Sequence, residues 1–318
     1  MIQFDFNSID FDYDKYYEYE KKKNGGKEYI LNYLLSQEWI YSAIDFWKSD
    51  KTIILLKGCP VDKNLPFSPI ETGYIDSKTF KLSRDFILMF HKMINLISYS
   101  YKDENKCGLF RNLVPVKNTE NMVGSFGSKL EFKLHSDNPT YRLYPEYIKK
   151  SLNAPEFLSL FCLRGDTSVK TNIVKLKDIL QKLDSDTIEG LKKKIFTVNT
   201  PDSFDKYHEI TNLPIIIEDD TNNKIYTRYD YHNVKSPSEE GKEFLNEFQK
   251  AMNSIKPTSL FFEKGDFLIF KNQEVLHSRE SFETKYDGLD RWLIRIYSNI
   301  NEDYLKHNNI LIGGKECL

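Results

Sequence analysis

Net charge is nearly absent from this 318-residue chain, in which 45 Lys and Arg face 47 Asp and Glu for a formal charge of −2. That balance removes the broad electrostatic case for a nucleic-acid or membrane-surface binder. No apolar run reaches the length of a membrane span, so none is predicted. The N-terminus, MIQFDFNSIDFDYDKYYEYE, is acidic and aromatic. It lacks the basic start and apolar stretch of a secretory signal, and the expected location is cytoplasmic. Cysteine is scarce too: Cys59, Cys107, Cys162 and Cys317 form no CxxC pair. Neither a disulfide framework nor a zinc finger fits that spacing, and reduced, mostly buried thiols are expected. The phosphate-cradling GxGxxG and GxxxxGK[ST] loops are missing, as is the GxSxG nucleophile elbow. Internal repeats and Gly/Ser or Pro-rich linkers are also missing, which predicts a single domain over 1–318.

What is present suits a folded core, with 40% hydrophobic and 29% charged residues. Apolar residues recur at three-to-four spacing over 27–47, predicting an amphipathic helix. TIILLKGCPVD, closed by Gly58 and Pro60, predicts a buried strand. A second helix is predicted over 83–97, with Ser83 as N-cap and His91 packed among Phe90, Met93 and Ile94. From residue 109 strand patterns dominate: LFRNLVPV, KLEFKLHSD and FLSLFCLRGD. A helix is expected over 171–183, a strand at KIYTRYDYHNV and a helix over 238–255. The runs SLFFEKGDFLIFKN and RWLIRIYSNI then close the fold as strands. The predicted fold is mainly β with flanking helices, a sandwich or barrel and not a doubly wound sheet. Residues 1–108 form its helical part and 109–318 most of the β core.

Six histidines narrow the search for chemistry. His135 and Asp137 stand two apart in KLHSDN, so a strand would project both from one face. Alone that pair is weak, since a chain this acidic yields about one such pair by chance, and an exposed strand end reads equally well. Downstream, His277 precedes Arg291 and Arg295, which share one face of a strand and alternate with Trp292, Ile294 and Ile296. A buried Arg is costly without an anion; the alternative is a strand-end Arg reaching solvent or an Asp. Two His and one carboxylate on a β scaffold make the facial triad of non-haem Fe(II) sites, which leaves coordination positions open. A buried Arg beyond the second His supplies a bidentate clamp for a dicarboxylate. His208 and His307 read as surface residues.

The stretch from Gly265 to Tyr297, GDFLIFKN…VLHSRESF…YDGLDRWLIRIY, resembles the C-terminal signature of clavaminate synthase-like Fe(II)/2-oxoglutarate oxygenases. That branch holds free amino-acid hydroxylases for arginine, asparagine and lysine. LLKGCPVDKNLPFSP, NLVP, SFGS and LFCLRGD extend the resemblance over most of the chain in the same order. It implies a double-stranded β-helix (jelly-roll, cupin-like) core that takes Fe(II), 2-oxoglutarate, O₂ and a small amino acid. By the same resemblance His135, Asp137 and His277 are the iron ligands, and Arg291 meets the distal carboxylate of 2-oxoglutarate. Thr171, or alternatively Thr167, touches that cosubstrate. Arg295, with Ser125 beside it, holds the substrate carboxylate; Glu104 meets its amino group and Asp230 its side chain. Two positions depart from the branch. Asp137 stands where it usually has Glu, and His232 stands where arginine hydroxylases place a second acid. The first change keeps the chemistry; the second lowers the expectation for arginine and leaves lysine, ornithine or a smaller polar amino acid. Competing readings are an oxygenase for a carrier-tethered or peptidyl amino acid and a non-catalytic relative of the fold.

Overall fold

Alternation at period two on both faces of the longest strands sets the layering of this protein. The computed structural model describes residues 1–6, 11–201, 204 and 207–313. Its first part contains β1 (Ile2–Asp5), α1 (Tyr13–Glu20), α2 (Gly25–Leu35), α3 (Ile40–Ile44), β2 (Ile53–Lys57), α4 (Lys81–Met93) and β3 (Ile97–Tyr101). There follow β4 (Arg111–Leu113), β5 (Phe132–His135), β6 (Phe157–Arg164), β7 (Lys170–Lys175), α5 (Leu176–Leu180) and α6 (Ser185–Leu191). Short strands come next: β8 (Phe196–Asn199), β9 (Glu209–Leu213), β10 (Ile216–Asp219), β11 (Lys224–Thr227) and β12 (Val234–Lys235). The chain ends with α7 (Glu239–Ser254), β13 (Thr258–Phe261), β14 (Phe267–Lys271), β15 (Val275–Arg279), β16 (Trp292–Asn299) and β17 (Ile310–Ile312).

An eight-stranded sheet runs β1-β2-β14-β6-β16-β3-β17, with β4 also paired to β16. A four-stranded sheet runs β13-β7-β15-β5, and β12-β8-β9 and β10-β11 form smaller ones. Only β1 and β2 pair in parallel; the other paired strands are antiparallel. Between the two main sheets lie Leu55, Leu160, Leu268 and Leu293 from the large one and Ile173 and Val275 from the small one. The alternate residues Leu56, Phe161, Ile269 and Ile294 face outward and pack under α1 to α4. On the far side Val174 and Leu276 of the small sheet pack under α5, α6 and α7 through Ile179, Leu191 and Phe248. Strands β2, β6 and β14 of the large sheet are therefore covered on both faces, which is why they read as continuous apolar runs. Each such large side chain contributes roughly 1.5–3 kcal/mol by leaving water.

The mainly β expectation with flanking helices holds, but several boundaries move. The 1–108 part is not only helical, because β1, β2 and β3 belong to the large sheet. The single helix expected over 27–47 breaks after Leu35. There Ser36 Oγ and Gln37 Nε2 both donate to the Tyr33 carbonyl, satisfying it from side chains and ending the helix. Ser83 lies inside α4 and is not its cap. The cap comes from Asp62, whose carboxylate accepts from the Leu82 and Ser83 amides at 3.0 and 2.9 Å. Residues 171–175 lie in a strand where a helix was expected, since Thr171, Ile173 and Val174 are β-branched, and Thr171 and Ile173 gain partners on both β13 and β15. The strand expected at 224–234 is interrupted by a turn at Asp230, whose carboxylate accepts from the His232 and Asn233 amides. Cys59 and Cys162 are free and buried as expected. Cys107, however, is disulfide-bonded, which overturns the all-reduced reading; Cys317 lies outside the described residues. No helix among the described residues is long and apolar enough to cross a membrane.

His91 is a packing residue, 1% exposed, its ring nitrogens each 2.8 Å from Ser98 Oγ and Ser159 Oγ. Burial holds its pKa down to about 3. Between that value and the ordinary histidine range the unfolded chain binds a proton that the folded one does not, so stability falls as pH falls through this window. From pH 7 to pH 5 this group accounts for a loss of about 2 kcal/mol. Urea unfolding at both pH values should show a smaller acid loss for His91→Gln than for the parent; equal losses would refute the assignment.

Candidate active site

Strand pairing brings the metal-type residues together. His135 ends β5 and lies directly opposite His277 of β15, their ring centroids 4.1 Å apart. Asp137 follows two residues beyond, and its Oδ1 is 3.5 Å from His135 Nε2 and 3.4 Å from His277 Nε2. One ligand atom from each of the three can be chosen so that all lie within 4.8 Å of one another, and all three residues are buried. His135 Nδ1 is 2.7 Å from the Lys133 carbonyl, so it carries the proton and leaves Nε2 with its lone pair. His277 Nδ1 is buried with no hydrogen-bond partner. Burial, reinforced by the neighbouring His135, holds the His277 pKa down to about 3 and keeps its ring neutral. Burial would raise the Asp137 carboxyl, yet Arg295 and the two imidazoles hold it well below the usual carboxylate range. Arg295 Nη1 and the Tyr297 hydroxyl donate to Oδ2 at 2.8 and 3.2 Å, leaving Oδ1 toward the rings. Burial would lower the His135 pKa, but Asp137 raises it above the ordinary histidine value. Two imidazoles and a carboxylate oxygen that converge in this way are a donor set that fits a divalent transition metal, which would take the place of the proton.

Asn272, 0% exposed, locks the Asp137 backbone. Its Oδ1 accepts from the Asp137 amide at 2.9 Å, and its Nδ2 donates to the Asp137 carbonyl at 3.0 Å. Toward one side of the triad a cavity of about 60 Å³, lined by Leu158, Leu160 and Leu293, leads to Arg291. Arg291 is 6% exposed, and burial lowers its pKa to about 10. Its Nη2 donates to Thr171 Oγ1 at 3.1 Å, while its Nε is buried without a partner. Among the described residues no carboxylate comes within ion-pair distance of it. Such a guanidinium fits a dicarboxylate's far end. Of the two threonines left open, Thr171 is the one at Arg291; Thr167 is exposed in the β6–β7 turn.

On the other side lies a cavity of about 240 Å³, whose walls include Arg111, Ser125, Phe132, Asp230, His232 and Arg295. Asp230 is held beside His135 by a bridge between the two backbones. Glu104 sits back from the cavity wall, 2% exposed, with Oε1 accepting from Arg295 Nη2 and, at 3.2 Å, from Tyr297. Three residues here escaped the sequence reading: Asn272, Tyr297 and Arg111. Arg111 carried the same signal as Arg291, an arginine in an apolar strand, and could have been found. Asn272 carried none, because its bonds span the distance from residue 272 to 137.

Fold and site together define an oxygenase. The chain belongs to the taurine catabolism dioxygenase TauD, TfdA family, whose family model matches residues 110–297. It is 24% identical to an L-lysine 3-hydroxylase of Catenulispora acidiphila over 77% of this chain and 66% of that protein. It is 26% identical to an L-asparagine oxygenase of Streptomyces coelicolor, over 77% of this chain and 70% of the relative. Its fold matches a crystal structure of asparagine oxygenase in complex with Fe(II), 2S,3S-3-hydroxyasparagine and succinate. The TM-score is 0.74 at 21% identity, covering 93% of each chain.

Asn272→Ala should cost about 1–3 kcal/mol for each backbone group of Asp137 left buried and unpaired. Divalent-metal affinity should fall about 10-fold or more with it, as for a lost supporting bond. Urea unfolding and metal titration of the variant check both; unchanged metal affinity would separate Asn272 from the site.

Proposed function

We propose that this chain is an Fe(II)/2-oxoglutarate-dependent dioxygenase that hydroxylates an unactivated carbon of a free amino acid. The observation that carries the reading is the buried His-Asp-His cluster standing between two cavities, one ending in an arginine with no acidic partner. His135, Asp137 Oδ1 and His277 would hold the iron from one face, leaving the other open. Fe(II) held there with 2-oxoglutarate would activate O₂, one oxygen atom entering the C–H bond and the other entering succinate as 2-oxoglutarate loses CO₂. Arg291 clamps the distal carboxylate of the cosubstrate, with Thr171 donating beside it. The leucines along that cavity exclude water and strengthen the ion pair.

The amino acid occupies the larger cavity. Ser125 and Arg295 form its head-group end, with Glu104 behind Arg295 as the acid for its amino group, and Asp230 faces its side chain. Arg295 also bridges Asp137 and Glu104, so the metal ligand and the head-group site share one guanidinium. His232 beside Asp230 offers no second carboxylate to fork a guanidinium, which favours lysine, ornithine or a smaller polar amino acid over arginine. Position is the protein's contribution: the distance from the iron to each carbon decides which is oxidised. The two main sheets are read as a double-stranded β-helix and residues 1–318 as one oxygenase domain. A cytoplasmic location belongs to this reading.

Anaerobic addition of Fe(II) and 2-oxoglutarate should produce a weak visible charge-transfer band, absent in His277→Ala. Arg291→Met should keep iron binding and need about 100-fold more 2-oxoglutarate, the loss expected for a buried charged pair. Succinate release should then couple to one or a few free amino acids. Coupling only to a carrier-bound or peptidyl amino acid, or to nothing, would overturn the free amino-acid reading.

A further inference from the structure

A third cavity, of about 300 Å³, has the β14–β15 turn as one of its walls. It shares no wall residue with the two cavities at the His-Asp-His cluster. Trp47, Tyr144, Phe157 and Tyr226 give it aromatic walls; Glu156, Lys224, Lys271 and Glu274 give it charged ones. Those walls are set by bonds of their own. Gln273 in the turn accepts from the Tyr144 amide at 2.8 Å and donates to the Tyr147 hydroxyl at 2.7 Å. The Tyr226 hydroxyl accepts from Asn222 Nδ2 at 3.3 Å. The charges are less evenly matched. Lys224 and Lys271 both turn to one oxygen, Glu274 Oε1, at 3.3 and 3.9 Å. Lys271 is 4% exposed, and among the described residues its ammonium makes one hydrogen bond, to the neutral Ser49 carbonyl at 2.5 Å. An ammonium carries three donors, so two remain unused. Trp47 Nε1 and Glu156 Oε1 are buried with no hydrogen-bond partner. Among the described residues no cationic side chain comes within ion-pair distance of Glu156. Burial pushes its pKa up to about 8, so near pH 7 it is chiefly the neutral acid and can donate.

We propose that this cavity is a second ligand site, which takes a small organic oxyanion: a carboxylate or phosphate ester with an apolar body. The groups left without partners are donors. They are the indole N–H of Trp47, the spare N–H bonds of Lys271 and the protonated Glu156, and buried donors require an acceptor. With Glu156 neutral, two ammonium groups share the single charge of Glu274, and one bound anion restores the balance. Lys48 does not alter that count, because it is exposed and pairs with Asp45 at 3.2 Å. The size and the rings describe the rest of the ligand. An inorganic ion would leave much of 300 Å³ unfilled, whereas the four aromatic side chains offer apolar surface to an organic body. A cationic ligand is the opposite case, since it would need Glu156 ionised and would lie beside two ammonium groups. The proposal is independent of the catalytic reading, because it uses neither the cluster nor the arginines around it.

The test reads binding and not turnover. The protein is held anaerobically with Fe(II) and excess 2-oxoglutarate, so that Arg291 is already engaged. Phenyl phosphate, phenylacetate, inorganic phosphate and benzylamine are each titrated into it by calorimetry at pH 7. At least one of the two aryl anions should bind saturably and about 10-fold or more tightly than inorganic phosphate; the tighter of the two names the head group. Lys271→Met should weaken that binding about 10- to 100-fold, the range for a hydrogen bond to a charged group. Lys224→Met should weaken it in the same direction, and it decides the matter should the Lys271 variant not fold. Glu156→Gln, which keeps a neutral donor, should bind within about 3-fold of the parent. Aryl-anion binding that falls with the lysines and survives Glu156→Gln establishes the site. No saturable binding of either aryl anion overturns the proposal, and so does binding that neither lysine variant weakens. Inorganic phosphate binding as tightly as phenyl phosphate overturns the organic body. Saturable binding of benzylamine that is lost in Glu156→Gln overturns the anion and assigns the cavity to a cation.

Discussion

The bond from Arg295 to Asp137 is the constraint on which the rest of the site depends. Arg295 lies on β16 of the large sheet, and Asp137 follows β5 of the small one, so the 2.8 Å contact ties the two sheets together at their common interior. Both groups are buried, and breaking such a pair from one side costs about 3–5 kcal/mol because the other charge is stranded. The same bond engages Oδ2 and leaves Oδ1 to meet the two imidazoles. Through its other Nη the guanidinium reaches Glu104, so the metal ligand and the acid of the larger cavity are held by one rigid fork. Tyr297, two residues along the same strand face, donates toward the same two carboxylates.

This arrangement explains why so many charged groups are tolerated in an interior otherwise built of Leu, Ile and Phe. The site runs as a line of alternating charge between the sheets, with Arg291 at one end, the His-Asp-His cluster at the centre and Arg295, Glu104 and Arg111 at the other. Apolar side chains separate the first from the second and raise the strength of every interaction along it. The outer faces of both sheets are packed under helices, while the register shifts beside the site, between His277 and Arg279 on β15 and between Trp292 and Leu293 on β16. Asn272, in the β14–β15 turn, adds the last restraint by closing on the Asp137 backbone.

Much of the fold was legible along the chain. Strands β2, β6, β14 and β16 follow from apolar runs bounded by turn residues, and helix α7 from the pattern read over 238–255. Strand β7 was not, since Thr171 to Lys175 becomes extended only by pairing with β13 and β15, whose residues lie some eighty to one hundred positions away. The Asp62 cap on α4 has the same origin in distant chain. Within the site, His135, Asp137, His277 and Arg291 were visible as residue types at suggestive spacing, and resemblance supplied their roles. Arg111 was overlooked although its strand showed it, and Asn272 had no local signature at all.

By itself the sequence determined the class of architecture and the kinds of group available for chemistry. Burial of alternating apolar residues and the scarcity of histidine depend only on which residues stand near each other along the chain. It also determined that no phosphate loop or nucleophile elbow competes for the function. Only the tertiary structure decided that His135 stands opposite His277, that Thr171 and not Thr167 reaches Arg291, and that Arg295 is shared between Asp137 and Glu104. Those outcomes depend on strand register and on which acceptor each buried donor finds. Register and partner choice are settled between residues far apart in sequence, where periodicity and spacing carry no information.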